Sequence, residues 1–157
     1  MKRFRFLSPL AALFFLGACA TASDAASDSR TWVLHAEGGE TRLAYGTPDS
    51  DDAPLMMRCR TGSGQVSLSR DAARPGEGIN LVSGARTVVL HGAEEPDVLN
   101  GVGVVVTART GLDNPVLRSF RDTGRLALIS GTRRADLPAT PEERTRIRQF
   151  FGGCGAA

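Results

Sequence analysis

From Trp32 onward, apolar and polar positions alternate with the two-residue period of half-buried strands. Glu37-Gly38-Gly39-Glu40 interrupts the first alternating run, and Gly-Gly supplies the positive φ that a tight hairpin turn requires. Pairing outward from that turn sets Ala36 opposite Thr41, Leu34 opposite Leu43 and Trp32 opposite Tyr45. The other face receives His35 opposite Arg42 and Val33 opposite Ala44. One face is apolar and the other mostly wet, the pattern of a strand pair lying on a core. A second hairpin turns at Thr61-Gly62-Ser63-Gly64. It pairs Cys59 with Val66 and Met57 with Leu68 on one face, and Arg60 with Gln65, Arg58 with Ser67 and Met56 with Ser69 on the other. A slip of one residue would drive the arginines into the core, so the register is well specified and Cys59 faces inward.

Residues 46–54 and 71–78 read as loops on their Pro, Gly and Asp content. Short β-branched stretches at Ile79–Val82, Thr87–Leu90 and Val102–Thr107 read as strands. Near Asn114 the period changes. Asp113-Asn114-Pro115 offers a helix N-cap followed by proline at the first helical position, and Gly124 stands where a C-terminal cap would fall, so the pattern predicts a helix over 115–123. A strand over 125–129 follows. Thr140-Pro141-Glu142-Glu143 then combines a capping threonine, a first-position proline and a glutamate three residues after the cap. Ile147, Phe150, Phe151 and Cys154 recur at helical spacing, predicting a terminal helix over 141–151 with one apolar stripe. The expected fold is a mainly β (α+β) domain: an antiparallel β-sandwich or partly open barrel carrying two helices.

The chain has 157 residues, room for one ordinary domain, and its 41% hydrophobic content excludes wholesale disorder. With only 6% aromatic residues, a stacking platform for single-stranded nucleic acid is not expected. Two histidines and three cysteines leave little material for a zinc or transition-metal site.

The amino-terminal segment changes the picture. Lys2, Arg3 and Arg5 precede an apolar run from Phe6 to Leu16, about eleven residues, too short to cross a hydrocarbon core ~30 Å thick. Pro9 and the small pair Gly17-Ala18 argue against a buried helix. Leu16-Gly17-Ala18-Cys19 resembles the lipobox of bacterial lipoproteins. That resemblance implies a signal peptide over 1–18, a diacylglycerol thioether on Cys19 and an acylated amino group, which together give stable membrane anchoring. Ala20 after the cysteine implies transport to the outer membrane, facing the periplasm. Residues 19–30, small and polar, then form a tether, and residues 31–157 a single periplasmic domain. Removing the leader leaves 16 basic against 17 acidic residues, a net charge of about −1, so the basic balance of the whole chain supplies no argument for nucleic acid.

With Cys19 lipidated in an oxidising compartment, Cys59 and Cys154 remain, and only one connectivity is open to them. Cys59 faces inward and Cys154 ends the apolar stripe of the last helix, so a bridge would staple that helix to the sheet.

Candidate chemistry is sparse. His35 and His91 have no acidic or cysteine ligand at metal-binding spacing, and no Gly-x-Ser-x-Gly elbow accompanies Ser63 or Ser83. Gly101-Val102-Gly103 lacks the third glycine of a dinucleotide loop and leads into a strand, so these glycines mark a bulge or close packing. Asp49, Asp51 and Asp52 offer oxygens to calcium, but at no EF-hand spacing. Arg58, Arg60 and Arg70 are candidates to line one exposed sheet face as an anion or partner patch. No metal and no small-molecule cofactor is expected.

Two further resemblances bear on the domain. Leu55-x-Met57-x-Cys59 and the ending Phe150-Phe151-Gly-Gly-Cys154 resemble the invasion-associated locus B type of small envelope protein, which implies a secreted β-rich domain without established enzymatic chemistry. Ser83-Gly84-Ala85-Arg86 resembles the Ser-Gly-x-(Lys/Arg)-Tyr loop of membrane-bound lysozyme inhibitors, with Thr87 in the tyrosine position. It implies that Ser83 and Arg86 enter the cleft of a c-type lysozyme, the guanidinium meeting its carboxylates. The expectation is therefore a non-enzymatic envelope lipoprotein, anchored in the membrane through Cys19, that presents a stapled β domain to an envelope protein partner through Arg58, Arg60, Ser83 or Arg86. A lysozyme inhibitor and an envelope hydrolase are the alternatives.

Overall fold

A computed structural model describes residues 30–98 and 103–155; the lipobox, the tether up to residue 29 and the segment 99–102 lie outside the described residues. The order of elements is β1 (Thr31–Glu37), β2 (Glu40–Gly46), β3 (Leu55–Arg60), β4 (Gln65–Ala72), β5 (Ile79–Ser83), β6 (Arg86–Leu90), β7 (Ala93–Pro96), β8 (Val104–Gly111), α1 (Pro115–Thr123), β9 (Arg125–Ser130), β10 (Arg133–Pro138) and α2 (Pro141–Cys154). The strands form a six-stranded sheet in the order β1-β2-β3-β4-β8-β7 and a four-stranded sheet in the order β10-β9-β5-β6. Every pairing among the described residues is antiparallel. The architecture is a two-sheet, sandwich-like α+β domain; no closed barrel forms.

Both predicted hairpin registers hold: Trp32 faces Tyr45, His35 faces Arg42, Met57 faces Leu68 and Arg58 faces Ser67. Helix α1 starts where Asn114 accepts a hydrogen bond from the Val116 N–H and stops at Gly124 in the left-handed region. Helix α2 opens on a complete capping box: the Thr140 side chain accepts from the Glu143 N–H, and the Glu143 side chain accepts from the Thr140 N–H. α2 runs to Cys154, three residues beyond the predicted end. The Cys59–Cys154 disulfide closes it onto β3 with a Cα–Cα distance of 5.7 Å. The β3–β4 turn secures the same end, since the Gly62 and Gly64 amides donate to the Gly153 and Cys154 carbonyls at 2.9 Å.

One core joins both sheets and both helices. Trp32, fully buried, stacks at a tilt on Tyr45 (5.2 Å between centroids) and on Phe120 of α1 (4.8 Å), and Phe120 meets Phe151 of α2 edge-on at 6.1 Å. The N-terminus of the domain is tied down by a buried carboxylate. Glu143 accepts hydrogen bonds from the Thr31 hydroxyl and from the Trp32 N–H at 2.8 Å, while also closing its own helix cap.

The structure corrects the sequence reading in three places. β4 continues through Asp71 and Ala72, residues assigned to a loop. β7 and β10, with sequences AEEP and RRADLP, are absent from the predicted elements: all of β7 is exposed and β10 buries only Leu137, too little apolar patterning to announce a strand at a sheet edge. The predicted strand over 102–107 is described from Val104 and extends to Gly111. Gly103, at φ +91°, lies against the Ala72 carbonyl where a Cβ would not fit, in keeping with the close packing expected there.

Candidate functional site: an arginine row on the open sheet face

One side of the six-stranded sheet carries the core, and the other faces outward. The registers define what stands there, because residues directly opposed on neighbouring strands share a face. Reading across the sheet, His35 opposes Arg42, Arg42 opposes Arg58, Arg58 opposes Ser67 and Ser67 opposes Arg109. The result is a row of three arginines and a histidine across five strands. At about 4.8 Å per strand, this row is about 19 Å long. Arg60, one pleat along β3, adds a fourth guanidinium. Arg58, Arg60 and Arg109 rim a shallow groove of about 700 Å³ whose floor includes Ser63, Gln65, Ser67 and Thr107.

Two observations separate this row from an ordinary wet face. Arg42 stands directly opposite Arg58, and like charges so placed destabilise a sheet. Arg42 donates through Nε to Glu40 at 2.6 Å, and Glu40 in turn stands directly opposite Arg60. Arg58, Arg60 and Arg109 make no hydrogen bond or ion pair with any described residue. The Glu40 carboxyl is held below its ordinary pKa, first by the Arg42 hydrogen bond and then, against a small burial effect, by the charges of Arg42, Arg58 and Arg60.

The opposite end of the same face is acidic. Asp71, Val105 and Glu95 form a cross-strand row, and Asp51, Asp52, Asp71 and Asp97 surround a second shallow hollow of about 590 Å³. Burial, followed by the charges of Asp97 and Asp52, raises the Asp71 pKa. Between the two ends runs a row of small and apolar residues: Val33, Ala44, Met56, Ser69, Thr107 and Ala93.

Arg70 does not belong to this surface. It follows Val66 and Leu68 on the core side of β4 and is buried, its Nε donating to the Gly78 carbonyl and its Nη2 to Glu77, both at 2.9 Å. Alternation along β4 assigns it inward, and the sequence reading missed this by following residue type instead of parity. Ser83 is also buried. Its hydroxyl bonds the Ser119 hydroxyl at 2.8 Å and the Arg125 carbonyl at 2.7 Å, so it is a core link between β5, α1 and β9. The rest of the Ser83–Arg86 loop is exposed, with Arg86 beside Arg118 and Arg121 of α1. The lysozyme-inhibitor resemblance requires an outward serine, and the fold turns this one inward.

The other candidates are dispersed. His35 and His91 are exposed at separate places, and the Ser63 hydroxyl bonds the Gln65 backbone at 3.1 Å. The Asp52 carboxylate accepts from Arg30 at 3.1 Å. Among the described residues, no three His, Cys, Asp or Glu side chains converge as a metal site would need. Cys19 lies outside the described residues.

Arg109 is the site residue that sequence reasoning missed. It lies two residues beyond the strand predicted over 102–107, and its place beside Ser67 depends on β4 pairing with β8 across some forty residues. Fold and site together define a small, disulfide-closed, sandwich-like domain with a polarised open sheet face. Comparison of the chain with protein-family models, with characterised proteins and with solved structures finds no match.

Proposed function

We propose that this protein is a non-enzymatic, lipid-anchored component of a bacterial outer membrane that holds its stapled β domain in the periplasm and binds a protein partner through the open face of the six-stranded sheet. The observation that carries the binding role is the direct opposition of Arg42 and Arg58, in one row with Arg109, whose guanidinium makes no hydrogen bond or ion pair with any described residue. A fold that keeps like charges opposed gives up stability for something outside itself. The disulfide supports an oxidising address, since cytosolic thiols are kept reduced. The lipobox-like Leu16-Gly17-Ala18-Cys19 supports the anchor.

Fractionation tests the anchor. The wild-type chain sediments with the envelope and Cys19→Ala moves to the soluble periplasmic fraction, while Arg58→Ser with Arg109→Ser stays in the envelope. Recovery of wild-type protein in the soluble fraction overturns the lipid anchor. Release by the arginine substitutions instead makes retention electrostatic.

A further inference from the structure

We propose that the partner on this face is a second copy of the same chain, docked face to face about a two-fold axis that runs across the strands along the Val33–Ala44–Met56–Ser69–Thr107 row. This deepens the binding role assigned to the face and rests on that reading.

Each outward strand is symmetric about that row. Ser67 and Asp71 lie two residues to either side of Ser69, and Arg109 and Val105 lie two residues to either side of Thr107. Turning a copy over about the row exchanges these positions, because a two-fold interface sets residue i on residue j and j on i. Asp71 of the second copy then comes over Ser67 of the first, between Arg58 on β3 and Arg109 on β8. Glu95 of the second copy comes beside Arg109 from the β7 side. The same contacts recur at the other end. A face that is basic at one end and acidic at the other is thus complementary to itself in this orientation. It repels itself in the register that puts basic row on basic row. The residues brought onto the axis are small or apolar, and these tolerate close approach of two sheets aligned within about 30°.

The tether gives a second, independent reason. β1 is an edge strand, and the axis crosses the sheet from β1 to β7. Rotation about it leaves both β1 strands at the same end of the axis, so both tethers start from one end of the pair. Twelve residues from Cys19 to Thr31 span at most about 40 Å, which lets both anchors enter one bilayer with the axis pointing at it. Six strands and three rows offer on the order of 500–600 Å² per copy, near the lower limit for a specific interface. Such a pair is reversible in solution and is favoured by confinement to a membrane, where the effective concentration is high.

The test is cross-linking of the full lipidated chain in cells. Ala44→Cys, on the axis, should cross-link to its own copy, whereas Thr87→Cys on the other sheet should not. In the Ala44→Cys background, Arg58→Asp with Arg109→Asp should lower the cross-linked fraction at least ~10-fold, and Asp71→Arg with Glu95→Arg should do the same, since like charges then meet. Co-expressing those two variants, or combining all four changes in one chain, should restore the wild-type fraction. Thermal melts of each variant identify any loss that comes from misfolding, and the four-change chain reads the charge logic independently of either single set. No cross-link from Ala44→Cys, or cross-linking indifferent to both charge reversals, overturns the two-fold pair. So does loss on reversal without restoration by the complementary charge change. The outcome is read separately from the anchor, because a chain found soluble by fractionation is still scored for its cross-link.

Discussion

At the scale of single residues, two buried charges show how position outranks residue type. Arg70 is a surface residue by chemistry and a core residue by parity. The fold accepts it because its guanidinium finds a carbonyl and a carboxylate within reach, and Glu77 in turn accepts from the Ser130 hydroxyl at 3.0 Å. Glu143 is the clearer case. Burial disfavours its charge, yet the hydrogen bonds from Thr31, from the Thr140 and Trp32 amides and from the Thr140 hydroxyl outweigh that and hold its pKa below the ordinary 4.5. A carboxyl with a depressed folded-state pKa stabilises fully above its unfolded value, and that contribution is lost as pH falls through the folded-state value. Glu143→Gln should therefore cost about 1.5–3 kcal/mol near neutral pH, the range for hydrogen bonds to a charged group. The variant's loss relative to wild type should shrink as pH falls below 4.5. Urea unfolding at several pH values checks this; an equal deficit at every pH would remove the charge from the explanation.

At the scale of elements, the hairpins were legible because turn chemistry and alternation agree in each of them. Both helices were legible from their caps. What escaped were β7, which buries no side chain, and β10, which buries only Leu137. Both pair along the backbone of an existing edge, and one buried leucine between them is too short a pattern to announce a strand. The outward arginines give this scale its prediction. Because Arg58 opposes Arg42 directly, Arg58→Ser should stabilise the isolated domain by a few tenths of a kcal/mol, up to about 1. A melting temperature equal to or slightly above wild type, in a variant impaired in pairing, would set binding against stability at one residue. A clear fall in melting temperature would instead make Arg58 a structural residue.

For the whole molecule, the decisive link is the one between β3 and α2. Cys59 and Cys154 stand 95 residues apart in sequence, and their bridge closes most of the described domain into one loop. In the chain-entropy account a loop near 100 residues contributes about 4–5 kcal/mol. Replacing both cysteines by serine should lower the melting temperature by on the order of 10–20 °C for a domain of this size. Calorimetry of wild type with and without a reductant able to reach the bridge is the matching control, and a coincident pair of curves would deny the bridge its role. The same staple secures the β3–β4 turn, which borders the arginine groove, so the reduced protein should also lose definition at that end of the face.

Some features of this protein were settled by short-range rules acting within the chain. Turn glycines, two-residue alternation and helix caps set the hairpin registers, the inward aim of Cys59, the two helices and the sandwich-like α+β class, because each depends on residues within one or two elements of each other. The arginine row, its acidic counterpart and the inward turn of Ser83 were decided by tertiary structure. They require β4 to meet β8, β7 to add to that edge and α1 to cover β5. Which strands become neighbours depends on how distant apolar faces share one core, and no local pattern encodes that choice.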